Sequence, residues 1–74
     1  MLLYLTRVTQ YGSVRYYKIL LSANLFGELF VLREYGNVAY KAPTGRLEKS
    51  FETLEKAKLY YENTRLLKEK RGYK

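Results

Sequence analysis

Leu29 to Val38 reads LFVLREYGNV, and the fold depends on how that stretch is divided. From Glu28 to Tyr35 the parity separates Leu29, Val31, Arg33 and Tyr35 from Glu28, Phe30, Leu32 and Glu34, the two-residue period of an extended strand. Either Leu29 with Val31 or Phe30 with Leu32 can be its buried side. Gly36 then permits the positive φ of a tight reversal, and Asn37 is one of the few other residues that tolerate it. Tyr35-Gly36-Asn37 therefore reads as a turn, with Val38 to Lys41 a short strand leaving it. The strand supplies much of the core. The turn presents Arg33, Tyr35 and Asn37 in the least core-like setting of the chain.

Working towards the N-terminus, Leu2 to Thr9 alternates, with Leu3 and Leu5 on one side and Leu2, Tyr4, Thr6 and Val8 on the other. One face is expected to be covered and the other shielded by tyrosine. Gln10-Tyr11-Gly12-Ser13 is a short turn, so this run and Val14 to Ser22 should pair as an antiparallel hairpin. In the second run Tyr17, Ile19 and Leu21 share a face, with Tyr16, Lys18 and Leu20 opposite. Ser22-Ala23-Asn24 breaks the pattern, and Leu25-Phe26-Gly27 forms a turn before the next strand.

Towards the C-terminus, Ala42 to Gly45 is a loop around the single proline, and Arg46 to Phe51 a fifth strand with Leu47, Lys49 and Phe51 on one face. Thr53 is a good N-cap, Glu55 complements the helix dipole in the first turn, and helix formers continue to Arg71. Leu54, Ala57, Tyr60, Tyr61, Thr64 and Leu67 make one stripe at 3.6 residues per turn, expected to lie across the sheet. Gly72 suits the C-cap, and Tyr73 can fold back on the last turn. Leu59 and Leu66 stand on the opposite side of the helix, where they are either ordinary exposed leucines or the seam of a homo-oligomer or protein contact. The order β-β-β-β-β-α gives an α+β domain: a small antiparallel sheet of about five strands packed against one C-terminal helix, with residues 1–74 as a single domain.

The 74 residues leave room for one domain and a modest core. There is no cysteine and no histidine, which removes disulfides, thiolate metal sites and the usual neutral-pH acid-base group. A cytoplasmic setting fits this usage best. The Leu2 to Leu5 run has no basic residue before it and no cleavage site, so it does not read as a signal peptide, and no apolar run is long enough to span a bilayer. Hydrophobic residues make up 47% and charged residues 28%, as in a folded domain rather than a disordered polycation. A net charge of +7 on so small a body asks for an acidic partner, nucleic acid first, with an acidic protein or an anionic membrane behind it. Most of the excess lies in the second half, where Arg65, Lys68, Lys70, Arg71 and Lys74 crowd the end of the helix.

Catalytic readings find little support. All seven carboxylates are glutamates, five of them in the basic second half where they balance lysines on a solvated surface. The glycines are scattered singly, so no phosphate cradle forms, and the serines have no histidine to activate them. No enzyme activity, cofactor, metal or small-molecule substrate is expected. What remains is tyrosine interleaved with cations. A tyrosine can stack on a base or sugar while a neighbouring lysine or arginine holds the phosphate. Most of the nine tyrosines sit at strand or helix periodicity and read as half-buried cover. Tyr35 differs, because it stands at the lip of the turn between Arg33 and Gly36, with Tyr40 and Lys41 just across. It reads equally well as the cover of a sheet end and as a binding group.

The chain also resembles the WGR domain, a small module named for a Trp-Gly-Arg turn and found in DNA-damage-dependent poly(ADP-ribose) polymerases and in short bacterial proteins. The matching pieces are Leu5-x-Arg7-Val8, Arg15-x-Tyr17-x-Ile19, Leu25-Phe26-Gly27, Val31 to Val38 at the signature, Gly45-Arg46, Ala57, and Lys70-Arg71-Gly72-Tyr73. The resemblance implies an antiparallel sheet with one helix and a non-catalytic role in binding nucleic acid, with DNA ranked before RNA as the ligand. It implies that the signature aromatic packs on sugar and base while basic groups take phosphates. Tyr35 stands where the family has tryptophan, keeping a smaller stacking face, and Asn37 stands where it has arginine, removing a forked cation. The residues expected to form the site are Arg33, Tyr35, Gly36, Asn37, Tyr40, Lys41, Arg46, Arg65, Lys68, Lys70 and Arg71. The alternative is a protein-interaction module without nucleic-acid binding.

Overall fold

A computed structural model describes residues 1–74. The chain forms β1 (Leu2–Val8), β2 (Val14–Ala23), β3 (Leu29–Asn37), β4 (Gly45–Phe51) and α1 (Leu54–Lys70). The strands make one antiparallel sheet in the order β1-β2-β3-β4, a meander with every neighbour joined by a hairpin loop. The helix crosses one face of this sheet. No helix is long and apolar enough to cross a membrane.

The two-residue period puts Leu5, Tyr17, Ile19, Leu21 and Val31 under the helix, where they are buried together with Ala57 and Tyr61 of α1. Leu29 and Val31, rather than Phe30 and Leu32, are thus the inward pair of β3. Two departures from the helical stripe matter. Leu54 and Leu67 are nearly half exposed, while Lys68, one residue further round, lies against the sheet. Leu59 and Leu66 face away from it, 62% and 49% exposed.

The sheet has four strands where five were expected, because Tyr35-Gly36-Asn37 is not a turn. β3 continues through Gly36, which is buried and not in the positive-φ region, and pairs with Tyr16 of β2. The reversal comes later, in a loop over Val38 to Thr44, so Val38 to Lys41 is loop rather than strand. Asn37 Oδ1 opens that loop by accepting the Ala39 N–H at 2.9 Å, and the Thr44 N–H closes it on the Tyr35 carbonyl at 2.8 Å. Glycine is needed at 36 for space. A Cβ there would stand 2.9 Å from the Thr44 nitrogen and 3.3 Å from the Tyr16 ring.

Both helix ends follow local chemistry. Thr53 Oγ1 accepts the Lys56 N–H at 3.2 Å, which satisfies one of the free donors of the first turn. At the other end Gly72 adopts φ 95°, with its N–H bonded to the Glu69 carbonyl and the Tyr73 N–H to the Lys68 carbonyl. This double closure with a left-handed glycine is a Schellman motif. It turns Tyr73 inward to become buried, and Lys74 then exchanges two backbone hydrogen bonds with Thr6 on the free edge of β1. The motif thereby docks the helix terminus beside the first strand.

Candidate functional site

Docking the helix terminus against the sheet gathers side chains from every part of the chain at one end of the helix-covered face. The ladder places Arg7 opposite Arg15 and Arg15 opposite Asn37, and one row inward places Leu5, Tyr17, Tyr35 and Gly45 side by side. Tyr17 is the centre of this region. The Tyr35 ring stacks on it with centroids 5.5 Å apart, Tyr73 meets it edge-on at 5.9 Å, and Lys68 Nζ sits 4.4 Å from its centroid.

Arg33, at the inner side, is held by two phenols. Its Nε donates to the Tyr17 hydroxyl and its Nη1 to the Tyr60 hydroxyl at 2.9 Å, while the guanidinium lies 5.7 and 5.9 Å from the two ring centroids. Lys49 completes the flank, 5.2 Å from the Tyr60 ring centroid. At the outer side Arg7 lies over the Tyr73 ring at 5.3 Å, and its Nη1 donates to the Arg71 carbonyl at 3.1 Å. The Nε of Arg7 is buried without a hydrogen-bond partner. Beyond it an open cleft of about 570 Å³ runs along the β1–β2 turn, lined among others by Arg7, Thr9, Ser13, Arg15 and Asn37.

Charge in this region is of one sign. Arg7, Arg15, Arg33, Lys68 and Arg71 form no salt bridge. The ion pairs of the chain are Lys18 with Glu34, and Arg65 with Glu62 and Glu69. The consequence shows in the titration of Lys68, whose pKa is lowered by burial and then by the nearby charges of Arg71, Arg33 and Arg7. Burial also works against the charge of Arg33, but the hydrogen bonds it donates to the Tyr60 and Tyr17 hydroxyls outweigh it and raise its pKa. Burial raises the Tyr17 phenol, against the opposing pull of Arg33. An uncompensated group of cations backed by aromatic rings is suited to holding a polyanion.

Of the residues singled out from sequence, the fold brings Arg33, Tyr35, Asn37, Lys68 and Arg71 to this end. Tyr35 is 36% exposed, with one face against Tyr17 and its tip over Gly45. Gly36 is a buried spacer on the opposite face of the sheet. Tyr40 and Lys41 are exposed in the β3–β4 loop, and Lys70 is exposed at the helix end. Two residues are placed elsewhere. Arg46 is on the sheet face away from the helix, in register with Glu34. Arg65 is bound to Glu62 at 2.7 and 3.0 Å and to Glu69 at 2.7 Å, so its charge is already balanced.

The sequence reading did not include Arg7, Arg15, Tyr17 or Tyr73 among the site residues. The parity that puts Leu5 and Tyr17 inward also puts Arg7 and Arg15 inward, at the open ends of their strands. A cation at a core-parity position is the signal that could have found them.

The WGR domain family model matches residues 1–74, the whole chain. WGR domains are commonly nucleic-acid-binding modules and are a non-catalytic family. No curated protein and no solved structure is significantly similar to the chain.

Proposed function

Because this chain belongs to the WGR domain family, we propose that it binds nucleic acid, and DNA in particular, without transforming it. The observation that carries this reading is the set of cations at one end of the helix-covered face, Arg7, Arg15, Arg33, Lys68 and Arg71, with no carboxylate paired to any of them. Such a group gains by exchanging its counterions for phosphates. The exposed part of Tyr35 supplies an aromatic surface for a sugar or base beside them. Asn37 replaces the arginine that names the family, and Arg15, its cross-strand neighbour, supplies a cation at the same end of the face. Arg71, Lys70 and the loop residue Lys41 extend the positive rim, whereas Arg65 and Arg46 contribute to the general field only.

Binding of this kind is dominated by the backbone, with little preference for sequence. Fluorescence anisotropy with blunt, nicked and single-stranded oligonucleotides at low salt tests it. The expected result is binding to DNA that is weakened by loss of Arg7 or Arg15. Absence of binding to all three would overturn the reading.

A further inference from the structure

The sheet face turned away from the helix is covered by no other element. Leu2 and Tyr4 on it are 62% and 54% exposed, and Leu20, Phe30 and Leu32 are half-buried beside them. Its charges differ from those of the rest of the molecule. Lys18 and Arg46 are matched by Glu34 and Glu48, so this face is neutral on a chain of net charge +7. An acidic ligand has no electrostatic reason to choose it.

The register makes the face complementary to itself. Across β2 and β3 the outward pairs are Ser22 with Phe30, Leu20 with Leu32, and Lys18 with Glu34. A two-fold axis parallel to the strands and midway between β2 and β3 lays β2 of one copy over β3 of the other. Each residue then meets the copy of its own cross-strand partner. Phe30 falls on the small Ser22, Leu20 on Leu32, and Lys18 on Glu34. The ion pair already present within one chain, at 3.6 Å, becomes a ring of four alternating charges. At the edges Tyr4, in the row of Lys18, falls towards Arg46, in the row of Glu34. Leu2 falls towards Glu48, a pairing that adds nothing to the match. Tyr16 lies across its own Gly36 and closes that end of the face.

We propose that a second copy of this chain covers this face, giving an aligned two-sheet sandwich with both helices outside. Four strands about 4.8 Å apart and six residues at about 3.3 Å each give roughly 400 Å² of projected area per copy, below the size of stable specific interfaces and in the range of transient ones. The dimer is therefore weak and reversible. It leaves both cationic ends free, on opposite sides of the assembly, so that one dimer can engage two nucleic-acid segments or two turns of one.

Sedimentation equilibrium on the wild type and on K18E and E34K, each checked for folding by circular dichroism, tests the arrangement. The wild type is expected to dimerise as concentration rises. Each single variant places like charges opposite one another and should dimerise at least about a hundredfold more weakly. Mixing the two variants should restore a dimer, because the acidic pair of one then faces the basic pair of the other. L66E, on the outer side of the helix, should leave dimerisation unchanged. A wild type that stays monomeric at high concentration overturns the proposal. So does a dimer that persists in both variants, or a mixture that remains monomeric although both variants are folded.

Discussion

Tyr35 lies flat against Tyr17, with ring planes 4° from parallel, on adjacent strands in direct register. Tyr35 is therefore fixed from beneath by a buried tyrosine, and Arg33 in turn fixes that tyrosine through its hydroxyl. Removing the Tyr35 ring should separate binding from folding. Y35A should lose about 1–3 kcal/mol of DNA affinity through lost stacking. It should lose only about 1 kcal/mol of stability, since the ring is partly exposed. Y35F should retain both, and Y35W should bind more tightly than the wild type. Anisotropy and thermal melting on the three variants check this.

Arg33 is more a strut than a free hand. Both of its bonded nitrogens serve phenols, and R33M leaves the Tyr17 and Tyr60 hydroxyls without their donor. A cost of about 1–3 kcal/mol is expected, of the size found when half-buried polar groups lose their partner. R33K should recover part of it, because one ammonium can reach one phenol but lacks the planar fork that spans two. Urea unfolding curves of the two variants distinguish these outcomes.

Gly45 is the floor beneath the Tyr35 tip. A Cβ at that position would fall within the volume the ring now fills, so G45A must push the ring aside or move β4. Stability should fall by about 1–3 kcal/mol, as for overpacking elsewhere. DNA affinity should fall as well, although Gly45 itself carries no charge. Melting and anisotropy on G45A read both effects.

Lys68 carries its charge at some cost to the folded protein. Its pKa is lowered from the ordinary 10.5 by burial and by Arg71, Arg33 and Arg7. The unfolded chain therefore holds this proton more tightly than the folded one, and stability should rise as pH climbs through the lowered value towards 10.5. Tyr17 and Tyr61 act in the opposite sense. Burial raises both phenols above 10.0, and the stability that comes from keeping them neutral is lost as pH passes above that value. K68M should melt no lower than the wild type at neutral pH and should lose the alkaline rise, while keeping the steep fall above pH 10. Melting temperatures across alkaline pH test the sign.

Much of this was legible in the sequence because strand parity and helix capping are local. The alternation of Tyr17, Ile19 and Leu21 grouped residues that the helix covers, without deciding which face of the sheet is inward, and Thr53 and Gly72 marked the helix ends. Gly36-Asn37 misled because the reason for glycine there is tertiary. The space beneath Tyr16 and Thr44 exists only once three segments are assembled, so a local rule assigns the glycine to a turn. Lys68 was counted with the other cations of the helix end. What sets it apart is that the Schellman motif and Tyr73 bring that turn down onto Tyr17, against Arg7 of the first strand. Arg65 shows the converse, since spacing alone does not reveal that Glu62 and Glu69 both fold onto it.

In the proposed function the unpaired cations around Tyr17 hold nucleic-acid phosphates. The most direct measurement is the salt dependence of duplex DNA affinity for the wild type and K68M. With roughly three to five phosphates neutralised, log K should fall against log salt with a slope of about −3 to −4.5 in the wild type, and K68M should be shallower by about 0.9. An affinity independent of salt, or a slope unchanged by removing Lys68, would contradict it.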